Sequence, residues 1–195
     1  VGLYHAWVPM KAQQNRIYAI DQTYTATREE YKYDNYGNQI EVLSQYQYGE
    51  NTPWISHLRT QTEYIYNTDG VYLVGLPGKV KPWDTKGTPE TGDDVPLAIT
   101  LYLYDGYDGW YNSQRPTHGK LTAVRTKIDD LRYSQVSYVY DEWGNRTSET
   151  TWSGYGVVDG SPTTGGRTTT TLYDSTYHTY PVSVKNPLNQ TISWT

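Results

Sequence analysis

A short Tyr-x-Tyr-Asp pattern closed by glycine returns along this chain at near-regular intervals, and it constrains the fold more than any other feature. It stands as Tyr31-Lys32-Tyr33-Asp34-Asn35-Tyr36-Gly37-Asn38 and again as Tyr138-Val139-Tyr140-Asp141-Glu142-Trp143-Gly144-Asn145. Tyr64-Ile65-Tyr66-Asn67-Thr68-Asp69-Gly70 carries Asn67 in place of Asp. Tyr102-Leu103-Tyr104-Asp105 has displaced glycines, Gly106 and Gly109, and Leu172-Tyr173-Asp174 is a weaker copy without one. The Asp or Asn markers fall at 34, 67, 105, 141 and 174, separated by 33, 38, 36 and 33 residues. A fixed period of this length marks a repeated supersecondary unit.

The pattern has a direct physical reading. Two tyrosines spaced by one residue share a face of a β-strand. The Asp that follows can accept the backbone N–H two residues on and so hold its own turn. Gly37 and Gly144 then supply a positive φ that other residues reach only at a cost. Asp-x-x-Gly between two alternating stretches predicts a hairpin turn with a glycine bulge. Beyond the turn Ile40, Val42 and Ser44 point one way, Glu41, Leu43 and Gln45 the other. The fold class expected is all-β: consecutive antiparallel hairpins, with turns at 34–38, 67–70, 105–109 and 141–145 and no long helix.

Composition agrees. The chain has 22 Tyr and 7 Trp but no Phe and one Met. Hydrophobic residues make up 36%, against roughly 45–50% in ordinary globular chains. Tyr brings an apolar ring and a hydroxyl that needs a partner when buried; aromatic and β-branched side chains suit pleated sheets. The net charge is −5, with Lys and Arg scattered singly. A nucleic-acid binder carries a clustered basic face, so no nucleic-acid partner is expected. No apolar run approaches the ~20 residues of a helical membrane span. Without cysteine there is no disulfide frame and no thiolate metal site.

Residues 1–23 show no clear period and read as the end of a preceding repeat or an irregular lead-in. Residues 24–195 hold about five repeats, with Gly/Pro/Thr/Asp-rich surface loops near 84–96 and 153–167. Pro77 and Pro181 each stand just ahead of a short Val-bearing strand. Asn186-Pro187-Leu188-Asn189-Gln190 reads as a further turn leading into Ile192-Ser193-Trp194. Val1 is not an initiator Met and the last strand has no polar cap, which points to a segment of a longer polypeptide.

Tyr-x-Tyr-Asp-x-x-Gly-Asn resembles the YD repeat of bacterial Rhs and wall-associated proteins, the C component of insecticidal toxin complexes, and animal teneurins. The copies at 31–38 and 138–145 carry the resemblance best, and it covers roughly residues 24–195. It implies a curved β-sheet ribbon that spirals into a hollow shell around a C-terminal toxic segment, or that serves as a surface scaffold. With about five copies this chain would form part of such a wall. An extracellular or cell-surface bacterial location follows from the resemblance. So do the expected partners: the remainder of a longer chain, neighbouring copies, an enclosed toxin or a surface glycan.

Within this reading Tyr31, Tyr33, Asp34, Gly37, Asn38, Tyr64, Tyr66, Asn67, Gly70, Tyr102, Tyr104, Asp105, Gly109, Tyr138, Tyr140, Asp141, Gly144, Asn145, Tyr173 and Asp174 are structural turn residues. No catalytic residue, metal site or cofactor is expected. The marker carboxylates cap turns, and a carboxylate held by backbone donors is a poor general acid. Asp93-Asp94, Asp105 with Asp108, and Asp129-Asp130 lack EF-hand spacing. His5, His57, His118 and His178 are isolated, and no nucleophile elbow is present. The alternative to a structural wall is a carbohydrate-binding or adhesion surface. Trp54, Trp83, Trp110, Trp143 and Trp152, near expected turns and loops, are its candidate ligand contacts. Asn145-Arg146-Thr147 and Asn189-Gln190-Thr191 have the form of glycosylation sequons.

Overall fold

The computed structural model describes residues 9–19, 23–88 and 90–194. Among them are thirteen strands: β1 Ala12–Tyr18, β2 Tyr24–Tyr33, β3 Gln39–Tyr48, β4 Ile55–Asn67, β5 Leu73–Gly87, β6 Val95–Pro96, β7 Thr100–Tyr104, β8 Leu121–Lys127, β9 Tyr133–Tyr140, β10 Arg146–Trp152, β11 Gly166–Tyr173, β12 Pro181–Lys185 and β13 Thr191–Ser193. The helical content of the described residues is one short 3-10 turn, Tyr111–Ser113. The strands form one open sheet whose order follows the chain, with β6 paired to β5 beside the main path. An antiparallel meander is what period-2 segments separated by short turns give.

The chain divides into two units, one holding the residues up to Tyr64 with Val80–Ile99, the other Ile65–Lys79 with Thr100 onward. In the second unit the register places Tyr102 opposite Val124, Val124 opposite Val136, Tyr138 opposite Glu149 and Tyr140 opposite Arg146. These tyrosines therefore share one sheet face. Leu101, Leu103, Ala123, Arg125, Gln135 and Ser137 take the other face. In the first unit Tyr31 and Tyr33 lie on the face of Val42 and Gln39, while Arg28, Gln45 and Ser56 form a row on the opposite face.

Burial is shared between apolar and polar groups. Ile65, Leu101, Leu103, Tyr104, Tyr111, Ala123 and Tyr133 make the apolar core of the second unit; Ala26 is buried in the first. Beside them Gln45, Gln47, Ser56, Arg59, Thr85, Gln114, Arg125 and Gln135 are buried polar residues. Although the Thr85 hydroxyl has no partner among the described residues, such groups are normally hydrogen-bonded when buried. Gln114 shows how: its Oε1 accepts the Tyr104 N–H at 2.9 Å, and its Nε2 donates to the carbonyls of Tyr102 at 2.9 Å and Tyr111 at 2.7 Å. One side-chain amide thereby imitates a strand neighbour for the end of β7. Gly78 lets β5 come close to this core, because a Cβ there would sit 2.5 Å from Ile65.

Several expectations change. Within residues 1–23, read as the end of a preceding repeat or an irregular lead-in, residues 12–18 form the regular strand β1, so the irregular alternative does not hold there. The loop near 84–96 shrinks, since 84–87 end β5 and Val95–Pro96 form β6. β5 runs as one strand through Gly75-Leu76-Pro77-Gly78 rather than starting after the proline. The loop near 153–167 ends where Gly166 begins β11. It is not a free surface loop: Gly156 and Tyr133 exchange both backbone hydrogen bonds, at 2.8 and 3.0 Å.

Candidate functional site

The repeated turns are built by one device. The Asp34 N–H donates to the Asn38 carbonyl and the Gly37 N–H to the Asp34 carbonyl. Asp34 Oδ1 accepts the N–H of Tyr36 at 2.9 Å and of Asn38 at 2.8 Å, and Oδ2 accepts Asn38 Nδ2 at 2.8 Å. Asp141 and Asn145 reproduce this clasp at 2.8 and 2.9 Å. Gly37 and Gly144 both have φ of 88°. The asparagine after the glycine is thus the partner of the marker carboxylate. At 186–190 the same wiring returns with other residues. Asn186 Oδ1 accepts the N–H of Leu188 and Gln190, Gln190 Oε1 accepts Asn186 Nδ2, and Asn189 takes the glycine position with φ of 64°.

The third and fifth copies use the marker differently. The turn expected at 105–109 is instead an excursion that returns at Lys120, whose backbone carbonyl accepts the Asp105 N–H. Asp105 closes it by accepting four backbone N–H groups, of Thr117, His118, Gly119 and Lys120. The positive φ falls at Asp105 and Gly106, not Gly109. Asp174 likewise accepts from Thr176, Tyr177, Thr179 and Tyr180. Burial pushes Asp105 up, but its backbone donors outweigh that and hold the carboxyl below the usual range. The Tyr177 and Tyr180 N–H groups hold Asp174 well below it. Asp141 is also lowered, its Asn145 clasp and neighbouring N–H groups outweighing desolvation. Asn67 keeps the role with an amide, accepting the Asp69 N–H at 3.1 Å.

A second recurring feature was not legible beforehand. Each of four hairpins skips one residue near the start of its returning strand: Ile40, Thr122, Thr147 and Val182 stand unpaired in bulges. At three of these bulges the carbonyl just ahead receives a tyrosine hydroxyl from the next repeat. Tyr64 donates to Gln39 at 3.3 Å, Tyr140 to Leu121 at 2.8 Å and Tyr173 to Arg146 at 3.4 Å. Tyr104 makes a related bond to the Pro77 carbonyl at 2.9 Å. Tyrosine rather than phenylalanine is therefore what the pattern requires. The rings are mostly half-buried; among the marker tyrosines only Tyr104, at 5% exposure, is buried, and burial raises its hydroxyl pKa well above the usual value. Tyr33 and Tyr140 are half-buried.

In the second unit the turns are also tied to one another. Asn67 Nδ2 donates to the Pro116 carbonyl, Lys120 Nζ to the Asp141 carbonyl, and Asn145 Nδ2 to the His178 carbonyl. Trp143 stacks on His178 with centroids 3.6 Å apart. On the opposite face Arg125, fully buried, donates to Gln135 at 2.7 Å and to the Val158 carbonyl at 2.9 Å, and pairs with Asp108. Ser161 joins the cluster through Asp108 and Gln135. One guanidinium thereby pins both the 105–120 excursion and the 153–165 segment. The first unit has a parallel in Arg59, buried with Asp94 at 3.2 Å.

The tryptophans separate into two groups. Trp83 lies within β5 and Trp152 ends β10, and their indole N–H groups bond Gln61 and Ser137. Trp54 lies under the Arg28 guanidinium. Trp110 and Trp143 are exposed. The acidic pairs are engaged elsewhere: Asp129 with Arg132, Asp130 with Lys127, Asp108 with Arg125. No group of three metal-ligating side chains occurs among the described residues. His118 bonds Thr117, His57 lies against Tyr46, and His5 is outside the described residues. Asn145, clasped on both sides, has no free amide for a glycan.

These features define an all-β meander whose repeats are joined through main-chain acceptors. No protein-family model and no curated protein matches the chain. Among solved structures, a porin-like protein from Bacteroides uniformis aligns over 93% of this chain and 92% of its own at 9% identity, with a TM-score of 0.32. At that score the likeness carries no argument about fold or function.

Proposed function

We propose that the chain is a non-enzymatic structural segment of a large secreted or surface protein of the YD-repeat kind, part of a β-shell that encloses a toxin or acts as a scaffold. The observation that carries this reading is the recurrence of the tyrosine lock from one repeat to the next. A device spent on joining neighbours in series suits a wall. The marker carboxylates Asp105, Asp141 and Asp174 are held in their charged forms by turn donors, which suits caps rather than proton donors. An antibody to this segment, used on native material, should recover a polypeptide much larger than 22.4 kDa whose protease-resistant part includes these repeats. A native species of the segment's own size would overturn the proposal.

A glycan-binding surface is the second reading, favoured by exposed Trp143, stacked flat on His178, and by Trp110. Trp143→Ala and Trp110→Ala should abolish retention on a glycan array if it holds, and leave it unchanged if the wall reading is the whole account.

A further inference from the structure

Four aspartates of this chain stand directly before a glycine: Asp69-Gly70, Asp105-Gly106, Asp108-Gly109 and Asp159-Gly160. An Asp-Gly pair is suited to one internal reaction. The glycine nitrogen attacks the aspartate Cγ, a C–N bond forms, and a carboxyl oxygen leaves as water. The product is a five-membered succinimide. Water then reopens it at either carbonyl. One opening restores aspartate; the other gives isoaspartate, whose main chain runs through Cβ. No electrons change hands. The reaction needs a glycine N–H that is not held, a carboxyl not fixed in its charged form, and a backbone free to bend, which glycine supplies.

Three of the four sites are restrained. Asp105 gives its carboxylate to four backbone N–H groups, and the Gly106 N–H donates to Thr122 Oγ1 at 2.9 Å. Asp108 is paired with buried Arg125 and accepts the Ser161 hydroxyl at 2.8 Å. The Gly160 N–H donates to the Val157 carbonyl at 3.3 Å, beside the Val158 carbonyl that Arg125 pins.

Asp69-Gly70 is open. Neither the Asp69 carboxylate nor the Gly70 N–H has a partner among the described residues. Both residues are exposed. Gly70 has φ of 73°, and a Cβ built there would meet nothing within 4 Å. The cause lies in how this copy of the repeat is written. At 34–37 and 141–144 the aspartate stands three residues ahead of the glycine, too far for a five-membered ring, and its carboxylate clasps the next asparagine. At 67–70 Asn67 takes the marker position and caps the turn by accepting the Asp69 N–H. The Asp69 carboxyl is thereby released from turn-building and set beside the glycine.

We infer that Asp69-Gly70 is a self-modification site, at which the turn between β4 and β5 converts to isoaspartate. The product adds one methylene to the main chain and carries an α-carboxylate as its side group. It alters the link next to Asn67, which ties this turn to the Pro116 carbonyl. The change accumulates with time and so records the age of the chain. It depends on neither functional reading above.

The full chain should be aged in warm, mildly acidic buffer, digested, and mapped by mass spectrometry with electron-transfer fragmentation, which tells isoaspartate from aspartate. A succinimide peptide one water lighter and an isoaspartate peptide of unchanged mass should appear at 69–70. In the folded chain they should form there about tenfold faster than at the other three sites, and in denaturant the four rates should converge to within about threefold. Asp69→Glu, which would have to close a six-membered ring, should abolish the reaction at this position with circular dichroism unchanged. Equal rates at the four sites in the folded chain, a faster reaction at Asp105, Asp108 or Asp159, or a ranking that persists in denaturant would overturn the proposal.

Discussion

At the residue scale, the hydroxyl is what separates the marker tyrosines from any other aromatic. Removing a buried hydrogen-bond partner leaves the acceptor unsatisfied at about 1–3 kcal/mol, and a half-exposed one costs about 1 kcal/mol or less. Tyr104→Phe removes the donor of a buried ring from the half-buried Pro77 carbonyl and should fall in the first range. Tyr140→Phe should fall in the second, and Tyr36→Phe in an exposed turn should be near neutral. Each kcal/mol should lower the melting temperature by about 2–4 °C in a chain of this size, which calorimetry reads. The marker carboxylates make a pH prediction. Asp105, Asp141 and Asp174 are held below the ordinary value. The unfolded chain therefore binds protons first as acid is added, and the stabilisation these groups give is complete above about pH 4. It is lost as pH falls through the lowered folded-state values. Melting temperature should drop on acidification, and Asp105→Asn should melt lower at neutral pH with a flatter acid limb.

At the scale of elements, the two long segments of the second unit depend on one side chain. Arg125→Ala removes a buried cation from Gln135, Asp108 and Val158 and should cost on the order of 3 kcal/mol. Limited proteolysis should then cut within 153–165, while wild type resists there; an unchanged cleavage pattern would show that the segment is held by other contacts. The hairpin elements were readable because Asp-x-x-Gly and period-2 alternation are local signals. The pinning of 153–165 was not, because its anchor, Arg125, lies 33 residues from Val158 and looks like any surface cation in sequence. The excursion at 105–120 misled for a related reason. Asp105 does cap a turn, but the N–H groups it accepts come from 12 to 15 residues on. Trp83 and Trp152 directly precede the stretches expected as loops, and what was not visible locally is the strand pairing that extends β5 to Gly87. The turn at 186–190 was half visible: Asn189 in the glycine position can be seen, the Asn186–Gln190 clasp cannot.

At the scale of the molecule, contacts between strands are made with neighbours in the chain. Stability in such an array is close to a sum of local terms. Hydrogen exchange should show it: Tyr140→Phe should raise exchange in β8, β9 and β10 and leave β2 and β3 unchanged. A uniform rise across the chain would instead mark one cooperative domain.

Among the described residues, four carbonyls that receive tyrosine hydroxyls belong to Gln39, Pro77, Leu121 and Arg146. An amide, an imino acid, an aliphatic residue and a cation serve equally, since the contact is to the main chain and never reads the side chain. Mutational drift at the receiving position is therefore free, while the donor stays fixed as tyrosine. Two copies can diverge almost entirely, or acquire an insertion as long as that after Asp105, and still fit together. A lineage built on such a joint would erase its own sequence likeness faster than its architecture.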